Sequence, residues 1–206
     1  RASELAAKPA SLSHNEAAAV PLAALTAWQG LFNHAQLTKG ERVLIHAGAG
    51  GVGSFAIQFA KWAGAHVIAT ASATNESLVR GLGADEFVDY RSQQFEEVLD
   101  QVDVVLDTIG GDTQTRSLSL LRSGGRLFSV VGSPDADKLA AVGARGGAFM
   151  VQPNREQLDR IAGLIDEGKV QVLIDSVFPL SEARAAHDKS QTGRAKGKIV
   201  LEVVAQ

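Results

Sequence analysis

One stretch constrains this chain more than any other: Val43-Leu44-Ile45-His46-Ala47-Gly48-Ala49-Gly50-Gly51-Val52-Gly53, running on into Ser54-Phe55-Ala56-Ile57-Gln58-Phe59-Ala60-Lys61. A short apolar run ends in glycines, and the glycines open into a helical pattern. Gly48, Gly50 and Gly53 stand at G-x-G-x-x-G spacing, with a further glycine at 51. Such spacing alone is a weak signal, but here it falls after a strand and before a helix, where a phosphate cradle requires it. The first glycine permits a tight turn, the second lets a pyrophosphate approach the backbone, and the third lets helix and strand pack closely. The helix N-terminus adds unpaired N–H groups and a positive dipole. The competing interpretation, a βα turn that binds nothing, is disfavoured by the agreement of strand, glycines and helix.

The surrounding pattern extends that unit. Residues 1–13 are small and polar with Pro9, and are expected to form an extended leading segment. Ser13 and Glu16 have capping-box spacing. Beyond Pro21, Leu22, Leu25, Trp28, Leu31 and Phe32 recur at three and four, which predicts an amphipathic helix ending near His34 to Gln36. After the glycine turn, strands are expected at 66–70, 86–90, 102–107, 126–131 and 148–151, with helices over 75–82, 95–99 and 113–121 between them. This alternation predicts an α/β fold: a Rossmann doubly wound parallel sheet, with the glycine turn at the switch point where ligands bind. The tail differs. It reads as a helix over 155–166, a strand over 172–180, a short helix over 181–187 and a strand over 198–203. The expected organisation is a leading segment (1–13), a Rossmann domain (14–152) and tail elements (153–206) that join a truncated second domain.

Composition narrows the function. A formal net charge of −3 gives no electrostatic case for nucleic acid or an anionic membrane. There are no cysteines, hence no thiolate metal site and no catalytic thiol. No apolar stretch reaches membrane-spanning length. A reducing compartment fits this composition, and a cytoplasmic location is the expectation. The first residue is not Met, which suggests a piece of a longer protein.

An NAD site usually places Asp or Glu at the end of the second strand, on the ribose 2′-OH. Here that strand ends Thr70-Ala71-Ser72-Ala73-Thr74, with no acid before Glu76. Small hydroxyl residues leave room for a 2′-phosphate, and Arg91, beside Tyr90 at the end of the third strand, is the nearest cation by topology. NADPH is therefore expected over NADH.

Several stretches occur together in one order: Ala23-Ala24-Leu25-Thr26-Ala27-Trp28, the glycine turn, Leu82-Gly83-Ala84-Asp85, Val105-Leu106-Asp107-Thr108-Ile109-Gly110-Gly111, Phe178-Pro179-Leu180 and Gly197-Lys198-Ile199-Val200-Leu201. In these the chain resembles the C-terminal two-thirds of a medium-chain dehydrogenase/reductase, most of all the zinc-free quinone oxidoreductase branch. The likeness runs from about residue 16 to 204. It implies a cofactor domain joined to a GroES-like catalytic domain that is largely missing here. It also implies that Ala49, Gly50, Gly51 and Val52 meet the pyrophosphate, and that Ser72 and Tyr90, with Arg91 as the candidate cation, face the 2′-phosphate. Thr26 would lie against the nicotinamide. Thr108, Val131, Phe149 and Val151 would line the adenine or nicotinamide ends. Many relatives have a lysine shortly after the position of Ser72; this chain has Thr74-Asn75-Glu76. Zinc-dependent relatives place a ligand one turn before the threonine matching Thr26, where this chain has Leu22, so no metal is expected. Relatives often pair through the strand matching Phe149-Met150-Val151, which makes a homodimer an expectation too.

The activity this implies is NADPH-dependent hydride transfer to a quinone or to an activated alkene or carbonyl, acting on a small molecule. The alternatives are a zinc-type alcohol dehydrogenase, an enoyl reductase module of a synthase, or a nucleotide-binding protein without turnover. No proton donor is evident. His14, His34, His46, His66 and His187 form no ligand pair at helical spacing and read as structural. Asp107 is either a ribose ligand or a strand-end turn residue. Trp28 and Trp62 read as core, and Arg194-Ala195-Lys196-Gly197-Lys198 as a basic turn that is either merely solvated or reached by a phosphate.

Overall fold

The computed structural model describes residues 1–203; the last three positions of the expected tail segment lie outside the described residues. Helix α1 (His14–Ala18) opens with the expected capping box, in which Ser13 Oγ accepts the Glu16 N–H and Glu16 accepts the Ser13 N–H. Pro21 starts α2 (Pro21–Trp28) instead of breaking it, because a first-turn N–H has no intrahelical partner to lose. The helix continues as wider π turns through Gln29–His34.

Six strands then alternate with helices: β1 (Arg42–Ile45), α3 (Gly51–Trp62), β2 (His66–Ala71), α4 (Glu76–Gly81), β3 (Glu86–Asp89), α5 (Phe95–Val98), β4 (Val102–Asp107), α6 (Gly111–Ser117), β5 (Leu121–Ser129), α7 (Ala136–Ala141) and β6 (Arg145–Ala148). They form one sheet in the order β3-β2-β1-β4-β5-β6, with every pair parallel. Both faces are covered, so successive residues go to opposite cores. Val43, Ile45, Val67 and Ala69 pack with α2 and α3, while Leu44 and Ile68 pack with Phe95, Val105 and Leu127 on the other side. The strand order turns back at β1, which lies between β2 and β4. That is the switch point, and the glycine turn leaves β1 there.

In the tail, α8 (Arg155–Asp166) adds Ile161, Leu164 and Ile165 to the same core as α2 and α3. Strand β7 (Ile174–Pro179), α9 (Ala183–Gln191) and β8 (Lys198–Glu202) follow, and β7 and β8 pair in parallel as a separate two-stranded sheet.

Several expectations are corrected. The sixth strand is Arg145–Ala148, not 148–151; its two glycines and lack of branched residues hide it from propensity reasoning. Helix α7, capped by the Asp135 carboxylate on the Asp137 and Lys138 N–H groups, was not expected. Helix α6 stops at Ser117, and β5 already begins at Leu121 and ends at Ser129, which leaves Val130 and Val131 beyond it. Trp62 is not core: it is 40% exposed, with the Arg160 guanidinium above its ring. The stretch Phe149-Met150-Val151, through which pairing is expected, lies beyond the end of β6. The Phe149 ring turns inward against His34 (centroids 4.5 Å apart), and only Met150 is well exposed.

Candidate functional site

Residue by residue, the glycine turn is built by close approach. The Gly48 N–H donates to the Thr70 carbonyl (2.8 Å) and the Gly50 N–H to the Ala47 carbonyl (2.9 Å). Helix α3 begins directly afterwards, with Gly50 as its N-cap. A Cβ on Gly53 would stand 2.2 Å from the Ala47 carbonyl oxygen, so only glycine lets the first helical turn fold back onto the strand end.

Beside this turn, at the C-terminal ends of β1, β2 and β3, lies a cavity of about 630 Å³. Ala49 and Gly50 form part of its wall, with Ser72 at the end of β2 and Tyr90 and Arg91 at the end of β3. Five expected site residues therefore meet in one space. Asp89 sets the last two: its carboxylate accepts the Ser92 hydroxyl and the Arg91 N–H, which hold it below the ordinary aspartate range. The Arg91 guanidinium reaches back to the Tyr90 hydroxyl (3.3 Å). Beside Ser72, Thr74 and Asn75 also line the wall, and the Asn75 side-chain oxygen is buried with no hydrogen-bond partner. An unpaired buried acceptor on a cavity wall suits a ligand that brings a donor.

The other expected residues lie off the wall. Gly51 and Val52 follow in α3; the Val52 side chain packs toward the core, leaving only the backbone N–H groups of this turn for a ligand. Thr26 is buried in α2 and its hydroxyl donates to the Leu22 carbonyl (2.7 Å). Thr108 closes the seam between β1 and β4 by donating to the His46 carbonyl (3.0 Å). Val131 is exposed beyond β5, while Phe149 and Val151 pack against the α2–α3 core. Asp107 is a strand-end turn residue: it is fully buried and accepts the Ile109 and Gly110 N–H groups and the Gln114 amide.

The sequence marked the tail turn only as basic, with a solvated role left open. Gly193, Arg194, Ala195 and Lys196, between α9 and β8, also line the cavity. This tail loop is tied to the turn by the Gly197 N–H, which donates to the Ala49 carbonyl (2.9 Å). The Lys198 side chain crosses Gly51 so closely that a Cβ there would stand 2.5 Å from Lys198 Cδ and 3.5 Å from its ammonium nitrogen. Arg116, stacked over Phe95 and paired with Glu96, completes the basic lining. Arg91, Arg116, Arg194 and Lys196 line the cavity and no carboxylate does. Among the described residues Arg91, Arg194 and Lys196 make no ion pair. Cations gathered at the positive end of a twelve-residue helix suit an anion that they share.

A family model described as zinc-binding dehydrogenase matches residues 82–201, more than half of the chain. The chain belongs to the medium-chain dehydrogenase/reductase superfamily. It carries the C-terminal portion of such a protein. A "Probable zinc-binding oxidoreductase, mitochondrial" from Arthroderma benhamiae is 37% identical over 98% of this chain and 66% of its own length. The "NAD(P)H oxidoreductase RTN4IP1, mitochondrial" of Danio rerio is 36% identical over 98% of this chain and 60% of its own length. Among solved structures, the quinone oxidoreductase from Coxiella burnetii superposes with a TM-score of 0.88 at 38% identity, covering 96% of this chain and 63% of that one. The chain thus spans roughly two thirds or less of each of these three proteins. Zinc, which the family description names, finds no donor set here: among the described residues no three His, Asp or Glu side chains are grouped to hold a metal.

Proposed function

We propose that this chain is the nucleotide-binding portion of an NADPH-dependent oxidoreductase that delivers hydride, without zinc, to a quinone or to an activated alkene or carbonyl. The observation that carries this reading is the cavity lining: cations from the end of β3, from α6 and from the tail loop, the glycine turn at the N-terminus of α3, and no carboxylate. Names of relatives that include NAD(P)H oxidoreductase and quinone oxidoreductase support the reaction class. The nicotinamide, when bound, supplies the hydride, so the protein's contribution is orientation and electrostatics. In this reading the α3 N–H groups and Arg194 and Lys196 hold the pyrophosphate, and Ser72, Tyr90 and Arg91 take the 2′-phosphate. Leu22, an exposed alkyl chain where zinc-dependent relatives carry a ligand, favours metal-free transfer. Thr26 then belongs to the nicotinamide end, and Thr108, Val131 and the Phe149 to Val151 backbone to the adenine or nicotinamide ends.

Two titrations test this. NADPH is expected to bind more tightly than NADH, and Arg91→Ala or Tyr90→Ala to abolish the difference. One lost charge-assisted contact corresponds to roughly tenfold to hundredfold in affinity. Equal or tighter binding of NADH would overturn the NADPH assignment. The double variant Arg194→Gln/Lys196→Gln is expected to weaken both nucleotides alike and to flatten the salt dependence of binding, because it removes charge from the part they share. A loss confined to NADPH would place the tail loop at the 2′-phosphate instead.

A further inference from the structure

His46 follows the last residue of β1, and its imidazole is buried on the cavity floor, edge-on to the Phe95 ring at 4.9 Å. Its two nitrogens reach two different elements. Nδ1 lies 3.1 Å from the Thr70 hydroxyl on β2, and Nε2 lies 2.8 Å from the Ser117 hydroxyl on α6. Bond directions follow from the far end of the chain. Ser117 donates its only hydroxyl proton to the Thr113 carbonyl (2.7 Å), which accepts and cannot donate. Ser117 must therefore accept from Nε2–H, and Nδ1 carries the lone pair. Thr70 then donates to Nδ1, which leaves its oxygen to accept the Ala47 N–H at 3.4 Å. Ala47 is the residue that needs holding. It has φ of +52°, in the left-handed region that disfavours a side chain, and it begins the glycine turn. Its neighbour Gly48 is bonded to the carbonyl of the same Thr70.

We propose that His46 is a positioning residue for the cofactor cleft: a neutral Nε2–H imidazole that, through Thr70, locks the left-handed turn at Ala47 and so aims the first N–H groups of α3 into the cavity. The effect on nucleotide affinity rests on reading this cavity as the nucleotide site; the tautomer and the lock do not. Burial disfavours the imidazolium. Among the charged groups around it, Asp107 on β4 and Glu96 on α5 favour that form, and Arg116 on α6 opposes it.

The test compares variants of the 206-residue chain for NADPH affinity and thermal unfolding. His46→Asn keeps an acceptor near the Nδ1 position, whereas His46→Gln extends past it toward Ser117 and His46→Leu keeps neither bond. Asn is expected to hold affinity within about threefold, and Gln, Leu and Thr70→Val to lose about tenfold. His46→Leu combined with Thr70→Val is expected to be no worse than His46→Leu alone, because both cut one path. A merely structural histidine would lower stability in every variant without this ordering of affinities, and that result would overturn the proposal. Two readouts do not involve the nucleotide. 15N spectra are expected to show the Nε2–H tautomer at neutral pH. Hydrogen exchange at the Ala47 amide is expected to be slow in the wild type and His46→Asn, and fast in His46→Leu and Thr70→Val. If the wild type binds neither NADPH nor NADH, the nucleotide reading fails, and these two readouts still decide the lock. An Nδ1–H tautomer, or an Ala47 amide indifferent to Thr70→Val, refutes it.

Discussion

Gly53→Ala is expected to destabilise the fold by about 3 kcal/mol, the upper range for overpacking a close contact, and to reduce nucleotide affinity at least tenfold. The added methyl would meet the Ala47 carbonyl oxygen at 2.2 Å and two further backbone atoms, Ala47 C and Gly48 Cα, at 2.9 Å. Backbone on both sides cannot yield as a flexible side chain would. The first turn of α3 must swing away from β1, and the N–H groups at its start go with it. The control is Gly163→Ala in α8, where a new Cβ meets nothing within 4 Å. There the change is expected to stabilise by about 0.5–1 kcal/mol, the ordinary helix-interior difference between the two residues. Urea unfolding of both variants, with NADPH titration of the first, checks the pair. Equal stability for the two would mean that the turn is looser than its contacts imply.

Acidification is expected to remove about 3 kcal/mol of stability through His46 alone. Burial pushes this imidazole from its ordinary 6.5 down to about 4, with Asp107 and Glu96 pulling upward and Arg116 downward. Because the folded value is the lower one, the unfolded chain takes the proton first as pH falls. The contribution is therefore intact above about 6.5, declines between 6.5 and 4, and changes no further below. Glu41, Asp85 and Glu86, held below the ordinary carboxylate range by Arg126, Lys61 and His66 against their burial, act in the same direction. Their losses begin only near the ordinary carboxylate values, so between 6.5 and about 5 the difference between the wild type and His46→Asn reads this histidine. Unfolding curves at pH 7, 6 and 5 are expected to show a slope in the wild type that His46→Asn lacks. Matching slopes would mean that the imidazole takes up its proton as readily in the fold as in the unfolded chain.

The two predictions separate what was legible in the chain from what was not. The strand, the glycines and the helix at 43–61 specify their own geometry, because each glycine answers a local steric demand between neighbours in sequence. The parallel sheet was legible for a similar reason: β1, β2 and β4 are apolar on both faces and stand between helical periods. The missing carboxylate after β2 was equally plain, and the pairing of β2 with β3 brings Ser72, Tyr90 and Arg91 to the same cavity.

Features that depend on contacts between distant segments were not legible. Strand β6 is a strand because it lies beside β5, where Gly146 faces the Leu127 carbonyl too closely for any Cβ; its own residues carry little strand preference. Phe149 turns inward against the His34 ring, a contact between segments far apart in the chain. His46 read as an isolated structural histidine, since Thr70 and Ser117 come to it from two other elements. Arg194 and Lys196 read as a basic turn until β8 carried them to the glycine turn. By itself the sequence determined the phosphate cradle and the layered sheet around it, because hydrophobic period and glycine sterics act over a few residues. Only the tertiary structure decided which cations close the cradle and which buried hydrogen bonds hold it, because those are set where residues far apart in the chain meet.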